Sequence, residues 1–382
     1  MDFDTIIDRF STGSSKWSRY PADVLPLWVA DMDFAVSPAI IAVLRARMDH
    51  PVFGYGVAKG ELTEQIVEHL DKTYSWKISP EDVVFLPGVE PGINMALNGL
   101  LSPGDGVTVQ TPVYPPILKS PTYWHLNRFE EELMPDEEDS YLVDMVGFNA
   151  AMGKSKAFLM CNPHNPLGKV FARAELEAMA AVCLENDALI ISDEIHCDLV
   201  FDGRRHVPIA SLGNHVANRC ITLMAASKSY NIAGLKTAFA IVQNREIRET
   251  FVASKLGMVD SVNILGYEAT LAAYAEGGEW LRGVVRYLQD NRDWLVNAVN
   301  TRLSGISMKK PEGTFLGWLD CSGCEFDGDP HLFFLEKSKV AMNPGKDFGP
   351  SGRNFVRINF GCPRPVLEDG IQRIEASLKG VG

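Results

Sequence analysis

The chain lacks any apolar run near the ~18 residues that a membrane span needs, and its start, Met1-Asp2-Phe3-Asp4, is acidic where a secretion signal is basic. Both absences point to the cytoplasm. No Lys/Arg cluster interrupts a formal net charge of -13, so neither nucleic acid nor an anionic membrane is expected as a partner. The seven cysteines are an odd number and scattered, and Cys161, Cys183, Cys197 and Cys220 fall in or beside apolar runs. They read as reduced core thiols, not as a disulfide framework. Cys321-Ser-Gly-Cys324 has the spacing of a zinc or redox pair, but no second pair accompanies it, so it reads as a turn between strands. His206, His215 and His331 lack metal spacing, and no metal is expected. No repeat or low-complexity tract is visible, which removes solenoids and propellers.

What is present is ordinary globular composition, 46% hydrophobic and 22% charged over 382 residues. That length exceeds what one compact core usually supports and predicts a large domain with a smaller partner. Short runs rich in Val, Ile, Leu and Phe recur at 82–86, 107–110, 157–160, 188–191, 221–224 and 237–242. Helical patterns separate several of them, as at 173–185, where Leu176, Met179, Ala180 and Cys183 share a face. Strand, helix, strand repetition predicts a mostly parallel α/β sheet covered on both faces. Met160, Met224 and Trp318 fall in strand-like runs and read as core.

The last third predicts helices over 261–276 and 278–302, strands at 314–319 and 355–359, and a final helix over 366–378. This is an α+β unit of its own. The stretch through about Phe34 is rich in Trp, Pro and Asp without periodicity, so it is expected to pack across a neighbour instead of forming a domain. The expected division is a segment at 1–45 packing with the small domain, a large domain at 46–265 and the small domain at 266–382.

Open α/β sheets bind ligands beyond the carboxyl ends of their strands. After the first run, Pro87-Gly88-Val89-Glu90-Pro91-Gly92 opens a helical segment, a pattern shared by anion-binding helix starts and plain turns. After the second, prolines hold Tyr114 near the sheet end, as a stacking ring or a core tyrosine. After the third, two Asn-Pro steps at Asn162 and Asn165 forbid a helix. After the fourth, Asp193 and Glu194 are acids that need a cation if buried. After the fifth comes Ala226-Ser227-Lys228-Ser229, a lysine among small residues, placed for Schiff-base chemistry if desolvated. An exposed loop lysine is the ordinary reading of such a residue. It gives way here because five successive strand ends bring complementary polar groups to one crevice.

With these residues the chain resembles fold-type I pyridoxal phosphate enzymes of the class I/II aminotransferase superfamily. More narrowly it resembles the MalY/PatB-type C-S lyases, or cystathionine β-lyases. The resemblance runs nearly end to end and rests on Lys16-Trp17, the segment 26–34 (Pro-Leu-Trp-Val-Ala-Asp-Met-Asp-Phe), Phe53-Gly54-Tyr55-Gly56 and the stretches 162–168, 192–196, 227–235 and 356–364. It implies the aspartate aminotransferase-like PLP-dependent transferase fold, with a seven-stranded sheet in the large domain. Lys228 would hold pyridoxal 5'-phosphate covalently and then shuttle protons, and Asp193 would keep the pyridine nitrogen protonated. Asn165 would donate to the ring's phenolic oxygen, with His196 standing where many aminotransferases use a tyrosine. Tyr114 would stack on the ring. The N–H groups of Gly88, Val89 and Glu90 would hold the phosphate with Ser227 and Lys236. Tyr55 would reach the phosphate of a neighbouring subunit, making a homodimer with a shared site. Arg357 would fork onto the substrate α-carboxylate, with Asn165 and Ala30 beside it.

Three positions depart from the family. Glu90 stands where a small apolar residue is usual, Ala226 where a phosphate-binding hydroxyl is common, and Lys236 where the wider group has arginine. The implied reaction is α,β-elimination of cystathionine or another cysteine S-conjugate to a thiol such as homocysteine, pyruvate and ammonia. The rivals are an aminotransferase of a small amino acid and a pyridoxal-binding regulatory protein that acts by docking. The 28–34 segment and His196 favour elimination.

Overall fold

Seven strands form the frame: β1 (Val83–Leu86), β2 (Gly106–Thr111), β3 (Asn127–Glu132), β4 (Ala157–Cys161), β5 (Leu189–Asp193), β6 (Cys220–Met224) and β7 (Ala238–Ile241). They belong to a computed structural model that describes residues 1–136, 140–326 and 328–379. The spatial order is β1-β7-β6-β5-β4-β2-β3, all parallel except β7, which runs against both its neighbours. Strands β4, β5 and β6 are buried along their whole length, which is why they read as mostly apolar runs. Their side chains alternate between two cores. Phe158 and Met160 face one side, and Ala157, Leu159 and Cys161 the other. Helices α1 (Val89–Leu100), α2 (Pro115–Tyr123) and α3 (Arg173–Glu185) cover these faces, α1 through Ile93 and Leu97, α3 through Leu176 and Met179.

Beyond the sheet come α4 (Ile264–Glu276) and α5 (Gly278–Arg302). A smaller antiparallel sheet follows, built from β8 (Ser307–Met308), β9 (Leu316–Asp320), β10 (Asn343–Pro344) and β11 (Phe355–Asn359) in the order β8-β9-β11-β10, and then α6 (Arg364–Leu378). This is the transferase architecture that the resemblance implied, a mostly parallel seven-stranded sheet with a smaller α+β part.

Several expected boundaries shift for local reasons. The strand expected at 314–319 starts at Leu316, because Thr314 has a left-handed φ of 69°. The helix expected from 261 starts at Ile264, where the Asn263 side chain accepts from the Gly266 N–H as its cap. Helix α6 starts two residues before 366, with a proline in its first turn. The N-terminal stretch packs within its own chain: Leu25–Pro26 pairs in parallel with Val340–Ala341, and Leu27, Met32 and Phe34 are buried in the core of the C-terminal unit. Cys321 and Cys324 lie in the turn after β9, and no metal-binding cluster occurs among the described residues. Among those residues no helix is long and apolar enough to cross a membrane.

Candidate active site

Strands β1, β2, β4, β5 and β6 deliver their carboxyl ends to one edge of the sheet, where a cavity of about 660 Å³ opens. Strand β5 ends on Asp193, whose buried carboxylate accepts from the Ile195 N–H at 3.1 Å. Burial pushes the carboxyl up to about 7, and the charges of Glu90 and Glu194 add to that rise while Lys228 opposes it. Glu194 turns away into the core, where Ser192 Oγ (3.0 Å), the Ile209 N–H (3.1 Å) and His206 Nε2 (2.6 Å) surround its carboxylate. The two adjacent acids thus part company. One faces the cavity and the other is tied behind it.

Strand β6 leads into a one-turn helix, Ala226–Ser229, which presents Lys228. Its Nζ donates to the Ala30 carbonyl at 2.6 Å. Burial, reinforced by the charge of Arg357, pulls this amine down to about 8. A lysine so shifted has an appreciable neutral fraction near neutral pH and can act as nucleophile or base.

Arg357 comes from β11 and lies 5.0 Å from the Phe348 ring centroid. Its Nη1 donates to Asn165 Oδ1 (2.9 Å), and its Nη2 to Asn343 Oδ1 (2.6 Å) and the Trp28 carbonyl (3.1 Å). Its buried Nε has no partner among the described residues. Burial lowers it to about 10, so it stays cationic at neutral pH. Because Asn165 spends its oxygen on Arg357, its NH2 group is left as a donor. His196 is buried edge-on to Phe315, and burial pushes its proton affinity well down, so the ring is neutral.

The segment 28–34 closes the site as a strap. Asn359 Nδ2 donates to the carbonyls of Val29 (2.6 Å) and Asp31 (2.7 Å). Asn231 Nδ2 donates to those of Met32 (2.9 Å) and Phe34 (2.8 Å). Lys16 is fully buried with its Nζ 2.6 Å from Asp33, which also accepts from Trp17 Nε1 (2.9 Å) and Arg9 (2.5 Å). Most motifs that carried the resemblance therefore meet in this one arrangement, whose product is the fixed Ala30 carbonyl against Lys228.

On the opposite wall, Gly88 precedes α1, so the N–H groups of Val89 and Glu90 lie in a first turn that has no intrahelical acceptors. Ser227 and Lys236 line the same cavity, with Lys236 in a left-handed turn at φ 51°. The Tyr114 N–H bonds to the Asn165 carbonyl (2.9 Å) and its hydroxyl donates to Glu90 Oε1 (2.7 Å), fixing the ring at both ends.

Twelve of the expected site residues line this cavity. Tyr55 does not; it is 99% exposed. Sequence reasoning missed Asn343 and Thr237 in the lining and the clamping roles of Asn231 and Asn359. Asn231 and Asn359 stood inside quoted motifs, yet nothing local revealed what they would bond.

The donor set fits pyridoxal phosphate. A carboxylate raised by its burial suits a protonated ring nitrogen. The open helix start with Ser227 and Lys236 suits a phosphate, and Lys228 suits an aldehyde. The aminotransferase class I and II family profile matches residues 22–374. Cystathionine beta-lyase PatB of Bacillus subtilis (strain 168) is 35% identical, with 99% of this chain and 100% of PatB covered. The crystal structure of OvoB superposes with a TM-score of 0.95 at 44% identity, covering 99% of each chain. Cystalysin from Treponema denticola, whose crystal structure contains a pyridoxal 5'-phosphate cofactor, superposes with a TM-score of 0.95 at 31% identity over 100% of this chain and 99% of its own. The chain belongs to the aminotransferase class I and II family, and its full-length likeness to PatB places it in the PatB-type branch.

Proposed function

We propose that the protein is a pyridoxal phosphate-dependent carbon-sulfur β-lyase, which with one water splits cystathionine or another cysteine S-conjugate into a thiol, pyruvate and ammonia. The observation that carries this reading is the partly buried Lys228, its amine 2.6 Å from the Ala30 carbonyl, sharing one cavity with the buried Asp193 and Arg357. When bound, pyridoxal phosphate supplies an aldehyde for the lysine amine and a protonated ring that withdraws electrons from the substrate Cα. The chain does the rest. Arg357, held by Asn165 and Asn343, takes the α-carboxylate. Asp193 would keep the proton on the ring nitrogen, and the Asn165 NH2 and neutral His196 would serve the ring oxygen. Tyr114 would pack on the ring, and Val89, Glu90, Ser227 and Lys236 would hold the phosphate, the first two through their N–H groups. Lys228 removes the Cα proton, and sulfur leaves Cβ as thiolate.

The same reading makes the working unit a homodimer. Tyr55 is fully exposed beside Val52, Phe53 and Val57, also exposed, and a second copy covering this segment would receive Tyr55 at its own phosphate. The seven free cysteines, six of them buried, suit the reducing cytoplasm. The test is to supply L-cystathionine to the purified holoenzyme without any keto acid. Pyruvate and free thiol should accumulate steadily, and Lys228→Ala should abolish both. Turnover that stops until a keto acid is added would replace the lyase with an aminotransferase.

A further inference from the structure

Five Asp, Glu, Lys and Arg side chains line the cavity among the described residues: Glu90, Asp193, Lys228, Lys236 and Arg357. On the lyase reading, on which this inference rests, four of them are used by the cofactor and by the part common to every α-amino acid. Arg357 takes the α-carboxylate, Asp193 the ring nitrogen, Lys236 the phosphate and Lys228 the aldehyde. The Glu90 carboxylate is left over. The resemblance leads one to expect a small apolar residue at this position, not an acid.

The structure shows what Glu90 is tied to. Oε1 accepts the Tyr114 hydroxyl at 2.7 Å, and Oε2 accepts no hydrogen bond among the described residues. No Lys or Arg forms an ion pair with it there. Its charge is felt deep in the site, since it favours the protonated forms of both Asp193 and Lys228. Glu90 is solvent-exposed at the rim of the cavity lining, so a cation entering with the substrate can reach its free oxygen. A phosphate next to this carboxylate would be repelled, so the side chain of Glu90 gains nothing from the cofactor. What it can gain from is a cation arriving with the variable part of the substrate.

We infer that Glu90 recognises a protonated nitrogen on the group attached to sulfur, so the preferred substrates are cysteine S-conjugates with a cationic sulfur substituent. Neutral substituents gain no such contact, and anionic ones meet a like charge. A charge-assisted hydrogen bond of this kind changes a binding preference by about tenfold.

The test compares S-(2-aminoethyl)-L-cysteine with its neutral isostere S-propyl-L-cysteine in the holoenzyme and in Glu90→Gln. The amide in that variant keeps an oxygen for the Tyr114 hydroxyl but carries no charge. Taking the ratio of kcat/KM for the two substrates within each enzyme cancels any change in cofactor loading or ring placement. The wild type should favour the aminoethyl conjugate, and the ratio should fall about tenfold in the variant. A ratio that moves by less than about twofold overturns the inference and leaves Glu90 as a support for Tyr114 alone. If no conjugate yields pyruvate, the lyase reading itself falls. Equilibrium binding of L-lysine against L-2-aminoheptanoate then decides the role of Glu90 separately, with the same fall in preference expected in Glu90→Gln and an unchanged preference overturning it.

Discussion

Lys228 and Asp193 depart from their ordinary values in ways that make opposite demands on pH. The amine, drawn down to about 8, is protonated below that point and free above it. The rate at which the apoprotein takes up pyridoxal phosphate should therefore rise with pH through about 8 and then level off, as followed by the growth of cofactor absorbance. Asp193 has a folded value of about 7, above the ordinary aspartate value of about 4. Between those values the folded apoprotein holds a proton that the unfolded chain has released, so the site loses stability as pH rises through the window. Asp193→Asn should then raise the melting temperature of the apoprotein most above pH 7, with the gain shrinking toward pH 4, while it disables the loaded enzyme. An equal gain at both ends of the range would mean the carboxyl is not a buried charge. At this scale the sequence exposed the groups that react and hid the groups that hold them. Asp193 and Lys228 stand at strand ends where any α/β reading looks first, whereas His206 and Asn343 act across gaps of 12 and 14 residues on partners that no local pattern names.

The strap at 28–34 and the sheet it overlies show the same contrast for elements. Strands β4, β5 and β6 were legible because burial on both faces favours apolar residues along most of their length. Strand β3 was invisible as residues: Asn-Arg-Phe-Glu-Glu-Glu sits at the sheet edge with half of its residues exposed and one buried, and only the resemblance implied a seventh strand. Helices α3 and α5 appeared with their true ends, since long amphipathic patterns define themselves. The strap has no periodicity because it is shaped by polar clamps instead of by a packed face. Its keystone is the Lys16 and Asp33 pair, both nearly inaccessible. Burial alone would raise the Asp33 carboxyl, but Lys16 and its other donors more than reverse this and hold it below the usual aspartate range. Removing one partner from such a pair costs about 3 kcal/mol or more, because the other charge stays buried. Lys16→Met should show that loss in chemical denaturation at pH 7. The loss should lessen as acid protonates Asp33, since a depressed carboxyl gives up its stabilisation when pH falls through its folded value.

For the molecule as a whole, the proposed dimer would be built on the exposed segment around Tyr55. Light scattering should give the mass of two chains. Hybrids settle whose site Tyr55 serves. When Lys228→Ala and Tyr55→Ala chains are refolded together, a Tyr55 acting across the interface leaves each mixed pair one complete site, because the Tyr55→Ala chain keeps its lysine and borrows the tyrosine. Activity should return on mixing two poorly active proteins; no recovery would confine Tyr55 to its own subunit. The pairing of Leu25–Pro26 with Val340–Ala341, and of the strap with Asn359, bears on how the chain is made. Translation delivers the first 34 residues long before their partners exist. A nascent chain can therefore fold its seven-stranded sheet around Lys228 while the Ala30 carbonyl still waits for the last strand to leave the ribosome. A reactive amine is thus brought under control only when synthesis is nearly finished, and chains that stop early carry the lysine without the means to aim it.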